Sequence, residues 1–226
     1  MELKVIAKIK NDFPTKFGLP RQSGLSDFLS EIIFEKEYSV EEAFRGITDF
    51  SHLIIIWGFS EAERDNWSPT VRPPRLGGNK RVGVFATRSP YRPNSIGLTV
   101  VKLVSLQKSD GRIVLTVSGA DMMNGTPVYD VKPYLSFADS VPEAISGFAD
   151  GVKDLALQVV FENNCSDALD ADRIDALREI LSQDPRPSYQ NDPTRVYGFE
   201  YADCEVKFAV SDDTLHVKSI TKKSEA

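Results

Sequence analysis

The feature that most constrains the fold of this 226-residue chain is a succession of short β-type runs with no strand–helix alternation. Segments 2–9, 31–35, 53–59, 81–87, 96–106, 112–118 and 128–134 are rich in Val, Ile, Thr and aromatics, with Gly, Pro, Asn or Asp at or near many of their ends. β-branched and aromatic side chains suit a pleated, half-buried surface, and the bounding residues suit turns. Many short strands at close spacing predict a mainly β unit, a barrel or a sandwich, rather than a parallel sheet. No G-x-G-x-x-G links a strand to a helix, so a nucleotide-like ligand would have to bind without the Rossmann phosphate loop. Ser39 followed by Glu42 reads as a capping box opening one short helix, with Gly46 as its stop.

After Tyr134 the composition turns to Ser, Ala, Pro, Gly and Asp through Gly151, as in a linker. A second unit is expected beyond it. Segment 152–161 alternates as a strand does, and 170–182 places Ile174, Leu177, Ile180 and Leu181 on one helical face. Segments 195–201, 205–210 and 215–220 read as a closing meander. The expected organisation is a β-barrel domain over 1–138 and a small α+β C-terminal domain over 139–226.

With 41% hydrophobic and 27% charged residues, the chain has the composition of a globular protein and is neither disordered nor fibrous. Cys165 and Cys204 have no C-x-x-C spacing, and His52 and His216 have no metal-ligand spacing, so neither a disulfide framework nor a metal site is expected. Residues 1–10 lack a signal-peptide core, and the longest apolar run, 53–59, is far too short to span a membrane, so a cytoplasmic location is expected. Charge is more informative. The 44 residues from Asn66 to Ser109 contain no acid and carry +8, within a chain of net charge −6. A basic stripe on an acidic body fits a surface that meets phosphates, or else a subunit interface.

Chemistry concentrates in three segments. In 72–97, Pro73, Pro74, Pro90 and Pro93 fix φ, while Gly77 and Gly78 permit angles closed to other residues. Arg88 and Arg92 flank Pro90, so a rigid turn is expected to hold two guanidiniums together for a phosphate or carboxylate. In 121–130, Asn124-Gly125 is a hairpin signal; Asp121 and Asn124 offer polar groups to an amino or ribose moiety, and Met122 and Met123 offer adaptable apolar surface. In 184–189, Pro185 and Pro187 stop the preceding helix and extend the chain.

The run from Arg72 to Gly97, with Gly83-Val-Phe-Ala-Thr-Arg-Ser-Pro-Tyr-Arg-Pro-Asn-Ser-Ile-Gly97 at its heart, resembles the signature of the TsaA-like family, bacterial TrmO type. Asn124-Gly-Thr-Pro-Val-Tyr-Asp-Val-Lys-Pro-Tyr134, Pro20-Arg21-Gln22 and Asp184-Pro-Arg-Pro-Ser-Tyr189 extend the likeness over nearly the whole chain. The resemblance implies a single-sheet β-barrel methyltransferase domain, a homodimer, S-adenosyl-L-methionine as cofactor, and methylation of N6 of threonylcarbamoyladenosine beside the anticodon of threonine tRNA. It places cofactor contacts at Arg21, Gln22, Phe59, Ser60, Arg88, Leu98, Asp121, Met122, Met123 and Asn124. The chain departs from the family pattern at Ser60, often His, at Ser95, often Pro, and at Asn124, often Asp; Asn accepts a hydrogen bond but carries no negative charge.

An acceptor aligned with the N6–H would assist transfer, and Asp121, Asn124 and Tyr129 are the candidates. Arg72, Arg75, Arg92, Asp184, Arg186 and Tyr189 are the candidates for RNA contact: the guanidiniums would hold anionic groups, and Tyr189 or Tyr91 would stack on a splayed base. The rival reading is a non-enzymatic RNA-binding module built on the same basic loop.

Overall fold

Alternate residues of the N-terminal strands are buried: Ala7 and Ile9, Ile32 and Phe34, Leu53, Ile55 and Trp57, Leu115 and Val117 share one core. A sheet with one apolar face must close on itself or cover that face with another layer. In the computed structural model, which describes residues 2–20, 22–24, 26–61, 67–73, 80–152, 156–186 and 192–223, it closes. The strands of this unit are β1 (Ala7–Lys10), β2 (Leu29–Phe34), β3 (His52–Gly58), β4 (Thr70–Val71), β5 (Val82–Gly83), β6 (Ile96–Ser109), β7 (Arg112–Ser118) and β8 (Pro127–Pro133). Six of them form a closed barrel in the order β1-β2-β7-β6-β3-β8, and Ala7 opposite Val128 joins the ends. Every pairing is antiparallel. β4 and β5 form a separate two-stranded ribbon.

Three local expectations are corrected. The strand expected over 81–87 shortens to Val82–Gly83 and then turns as a 3-10 helix, Val84–Ala86. Thr87 causes the break, because its amide and hydroxyl both return to the Val84 carbonyl, at 3.1 and 2.8 Å, in place of a ladder. Ser39 and Glu42 do not make a capping box; the segment consists of short 3-10 turns, and the Ser39 hydroxyl donates to the Glu35 carbonyl at 3.0 Å while accepting from the Ile113 amide at 3.0 Å. Asn124-Gly125 does turn, with Gly125 at φ +81°, but the strands on either side are not partners, since β8 pairs with β1 and β3. The turn ends a crossover, not a hairpin.

A four-residue helix, α1 (Ser136–Asp139), leads to the second sheet, built from β9 (Gln158–Phe161), β10 (Tyr197–Tyr201), β11 (Cys204–Ser211) and β12 (Thr214–Lys222) in the order β10-β11-β12-β9. The meander β10 to β12 is antiparallel as expected, and β9 joins β12 in parallel. Helix α2 (Ala171–Ser182) is capped by Asp170, whose carboxylate accepts from the Arg173 amide at 2.9 Å, and it buries Ile174, Leu177, Ile180 and Leu181. The chain just after β1 fastens the two units together. Phe13 meets Tyr201 at 5.0 Å, Phe17 lies among Tyr197, Phe199 and Phe208, and Asp12 pairs with Arg173 at 2.7 Å. Gly18, at φ +92°, lies under the Phe199 ring, where no Cβ would fit. Among the described residues no helix is long and apolar enough to cross a membrane.

Candidate functional site

One end of the barrel gathers polar groups around Trp57. Trp57 stands on β3 with 5% of its surface exposed, and a buried indole N–H needs an acceptor. The neighbouring strand supplies one: β6 places Gly97 opposite Trp57, where the bare Cα leaves room for the indole, and two residues on puts Thr99 on the same face. Trp57 Nε1 donates to Thr99 Oγ1 at 2.9 Å, and Thr99 Oγ1 donates to Asp121 Oδ1 at 2.6 Å. Asp121 lies in the crossover after β7. Burial raises its carboxyl pKa, against the opposing pull of the Thr99 hydroxyl, its own backbone N–H and the positive charge of Arg88. Arg88 is exposed and donates to Gln22 Oε1 at 3.0 Å. Trp57, Thr99 and Asp121 thus form one hydrogen-bonded chain, and the Arg88–Gln22 pair stands close enough for the Arg88 charge to act on Asp121.

Apolar walls flank it. The Phe59 ring packs on Trp57 at 4.2 Å, and the Phe59 amide is held by the Ser95 carbonyl at 3.0 Å. Tyr129 rests on Gly58, which has no Cβ to obstruct it. Leu98, between Gly97 and Thr99, is exposed, as strand alternation requires. The arrangement offers a cation, a carboxylate biased towards holding a proton, and aromatic surface. This donor set fits a ligand that carries a carboxylate, an amino group and a flat heterocycle.

A family model described as the tRNA-methyltransferase O N-terminal domain matches residues 8–140, and one described as the TrmO C-terminal domain matches 154–223. The chain belongs to the TrmO family.

The chain is 38% identical to the tRNA (adenine(37)-N6)-methyltransferase of Escherichia coli, over 96% of each chain. It is 41% identical to the protein of the same name from Eikenella corrodens, over 76% of this chain and 97% of that one. A crystal structure of TrmO from Pseudomonas aeruginosa superposes with a TM-score of 0.80 at 29% identity, covering 99% of this chain and 97% of that one.

Against the family pattern, Gln22 meets Arg88, the Arg88 charge acts on Asp121, and Phe59 packs on Trp57 with exposed Ser60 next along the chain, while Leu98 is exposed on the face of β6 opposite Thr99. Other residues stand differently from expectation. Met122 is fully buried, so its side chain packs the core and does not present a surface, although its carbonyl accepts from Asn11 Nδ2 at 2.8 Å; Met123 is half-buried. Asn124 is engaged with the chain after β1, its Oδ1 accepting from the Asn11 amide at 3.2 Å and its amide donating to the Phe13 carbonyl at 2.8 Å. Arg88 and Arg92 do not form one clamp. Arg92 turns back to the Thr87 carbonyl at 2.7 Å and stacks on Phe85. Asp184 and Arg186 bind each other bidentately at 2.8 Å, with Arg186 9% exposed, so this arginine is not an open anion hook. Arg72 is exposed. Arg21, Arg75 and Tyr189 lie outside the described residues.

Sequence reading missed Trp57, Gly97 and Thr99. A signal existed: an indole on an otherwise apolar strand needs a nearby hydroxyl, and Gly within a β run implies a close approach.

Proposed function

We propose that this protein is an S-adenosyl-L-methionine-dependent tRNA methyltransferase that methylates N6 of adenosine 37, beside the anticodon. The observation that carries the reading is the family match along both units, joined to a barrel end whose donor set suits such a cofactor. The finer substrate is the threonylcarbamoylated adenosine of threonine tRNA. Its carboxylate suits a site with an available guanidinium, and its N6 lone pair is delocalised, so transfer gains from a base. The homodimer, with each cofactor site near the subunit boundary, and the cytoplasmic location belong to the same reading.

Arg88 and Gln22 would hold the cofactor's polar end, Phe59 and Leu98 its flat ring, and Asp121 its amino or ribose groups. When bound, S-adenosyl-L-methionine supplies a methyl group already activated by its sulfonium. The protein's part is alignment and proton handling. Asp121, with its raised pKa, is the best placed of the three candidate bases to receive the N6 proton. Asn124 and the Tyr129 hydroxyl have weaker claims, the first because it is bound to Asn11 and the second because it rests on Gly58. The C-terminal unit, fastened to the barrel through Asp12, Phe13 and Phe17, contributes further RNA surface.

Nucleoside mass spectrometry of threonine tRNA from cells with and without the protein tests the reaction. Loss of the N6-methylated nucleoside without the protein is expected, and an unchanged nucleoside overturns it. The cofactor is tested separately: at 100 times its dissociation constant it should stabilise the fold by about 2.7 kcal/mol, whereas a cofactor-free RNA-binding module would not respond.

A further inference from the structure

Beside the barrel, the β4–β5 ribbon builds a surface that the methyl-transfer reading does not use. Thr70 pairs with Gly83 and Val71 with Val82, and the Val84 amide reaches the Pro69 carbonyl at 3.0 Å. This ladder sets Trp67, just before β4, beside Phe85, just after β5. Their ring centroids are 6.0 Å apart with planes inclined by 31°. Both are open to solvent, Phe85 at 70% exposure and Trp67 at 50%. The guanidinium carbon of Arg92 lies 5.6 Å from the Phe85 centroid, fixed from behind by the Thr87 carbonyl. The result is a row of cation, ring and ring, held by backbone hydrogen bonds and turned outward.

Exposed rings of this size mark a binding surface, and the surrounding charge names the partner. All three residues lie in the acid-free stretch of charge +8. Lys80 and Arg81 are exposed, and among the described residues no carboxylate lies within 4.0 Å of Arg72, Lys80, Arg81 or Arg92. A second copy of the chain packed by a twofold axis would set this positive stretch against itself, which disfavours self-association there. Nucleic acid satisfies both features, since phosphates meet the cations and unpaired bases have flat faces that stack on aromatics and guanidiniums. We infer that Trp67, Phe85 and Arg92 form a stacking platform for unpaired bases of an RNA strand. The inference deepens the tRNA reading and rests on it.

Tryptophan fluorescence tests it directly, because the chain has two tryptophans and only Trp67 is exposed. With the full chain, a ten-nucleotide oligoadenylate should quench the Trp67 emission, while a blunt RNA duplex carrying the same number of phosphates should quench it far less. Phe85→Ala should weaken oligoadenylate and tRNA binding about tenfold, by loss of one stacked base, and raise the KM for tRNA with kcat retained. Phe85→Tyr should restore binding, and the thermal response to S-adenosylmethionine should be unchanged in both variants. A wild-type protein that methylates tRNA but whose Phe85→Ala variant keeps its RNA affinity overturns the platform alone. If Phe85→Ala instead lowers the sedimenting mass while RNA affinity holds, the surface is a subunit contact and the proposal fails. A wild-type protein that neither binds nor methylates tRNA overturns this inference and the tRNA reading together.

Discussion

Thr99 donates its hydroxyl proton to Asp121 at 2.6 Å while accepting the Trp57 indole proton at 2.9 Å, so one side chain couples the barrel core to the carboxylate of the site. The Thr99 bond lowers the Asp121 pKa and thus offsets part of the effect of burial. Thr99→Val should raise that pKa further, moving the acid limb of kcat/KM against pH to higher pH and lowering activity on that limb. Thr99→Ser keeps both bonds and should behave as wild type. An unmoved acid limb in Thr99→Val would show that Asp121 takes no part in the titration that limits activity.

The same carboxyl leaves a signature in stability. Because burial raises its folded pKa, the native state holds this proton more tightly than the unfolded chain does. Stability therefore falls as pH rises from the ordinary carboxylate range through the folded value, and the loss is fully present above it. Asp121→Asn removes the titration and keeps an oxygen for Thr99, so its stability relative to wild type should improve from pH 4 to pH 7. Urea unfolding across that range is the measurement, and a constant difference would mean that Asp121 is not desolvated.

Much of this was legible in the sequence, for reasons that differ by element. The strand at Arg112–Ser118 was readable from its β-branched run between Gly111 and Gly119, and the helix with Ile174, Leu177, Ile180 and Leu181 because burial of one face imposes a period of 3.6. The break after Gly83 was not, since it depends on Thr87 satisfying the Val84 carbonyl, a local competition that β propensity does not register. Asp121 was legible as a polar residue in a turn. Its partners Thr99 and Trp57 were hidden because they come from two other strands, and only the β3–β6 register brings them together. Arg88 and Arg92 read as a pair from their spacing around Pro90, yet their side chains leave the turn towards different acceptors.

That divergence separates two substitutions that spacing alone would treat alike. Arg88 is exposed and meets Gln22, so Arg88→Ala should change stability by no more than about 0.5 kcal/mol. It should still reduce methyl transfer at least tenfold, about 1.4 kcal/mol of transition-state stabilisation, and move the acid limb to higher pH, because the Arg88 charge helps to keep Asp121 ionised. Arg92→Ala should cost about 1 kcal/mol of stability through loss of the Thr87 bond and the Phe85 contact. Thermal melts and pH–rate profiles of both variants, measured side by side, would refute the division if the two behaved identically.

Asp184 and Arg186 supply the last contrast, between an exposed arginine such as Arg88 and one enclosed by the fold. Asp184 follows α2 at φ +50°, a conformation Asp and Asn tolerate, and from there grips Arg186 with both carboxylate oxygens. The pairing raises the Arg186 pKa, the Asp184 hydrogen bonds being the first cause. Asp184→Ala would weaken the satisfaction of a guanidinium that is 9% exposed, at a cost of about 2 kcal/mol, and Asp184→Asn should lose less because it keeps one acceptor and the backbone preference. If these residues act through structure, both variants should lower the melting temperature in proportion to these losses while the KM for tRNA holds at temperatures where they stay folded. A raised KM with an unchanged melting temperature would instead return Arg186 to the RNA surface.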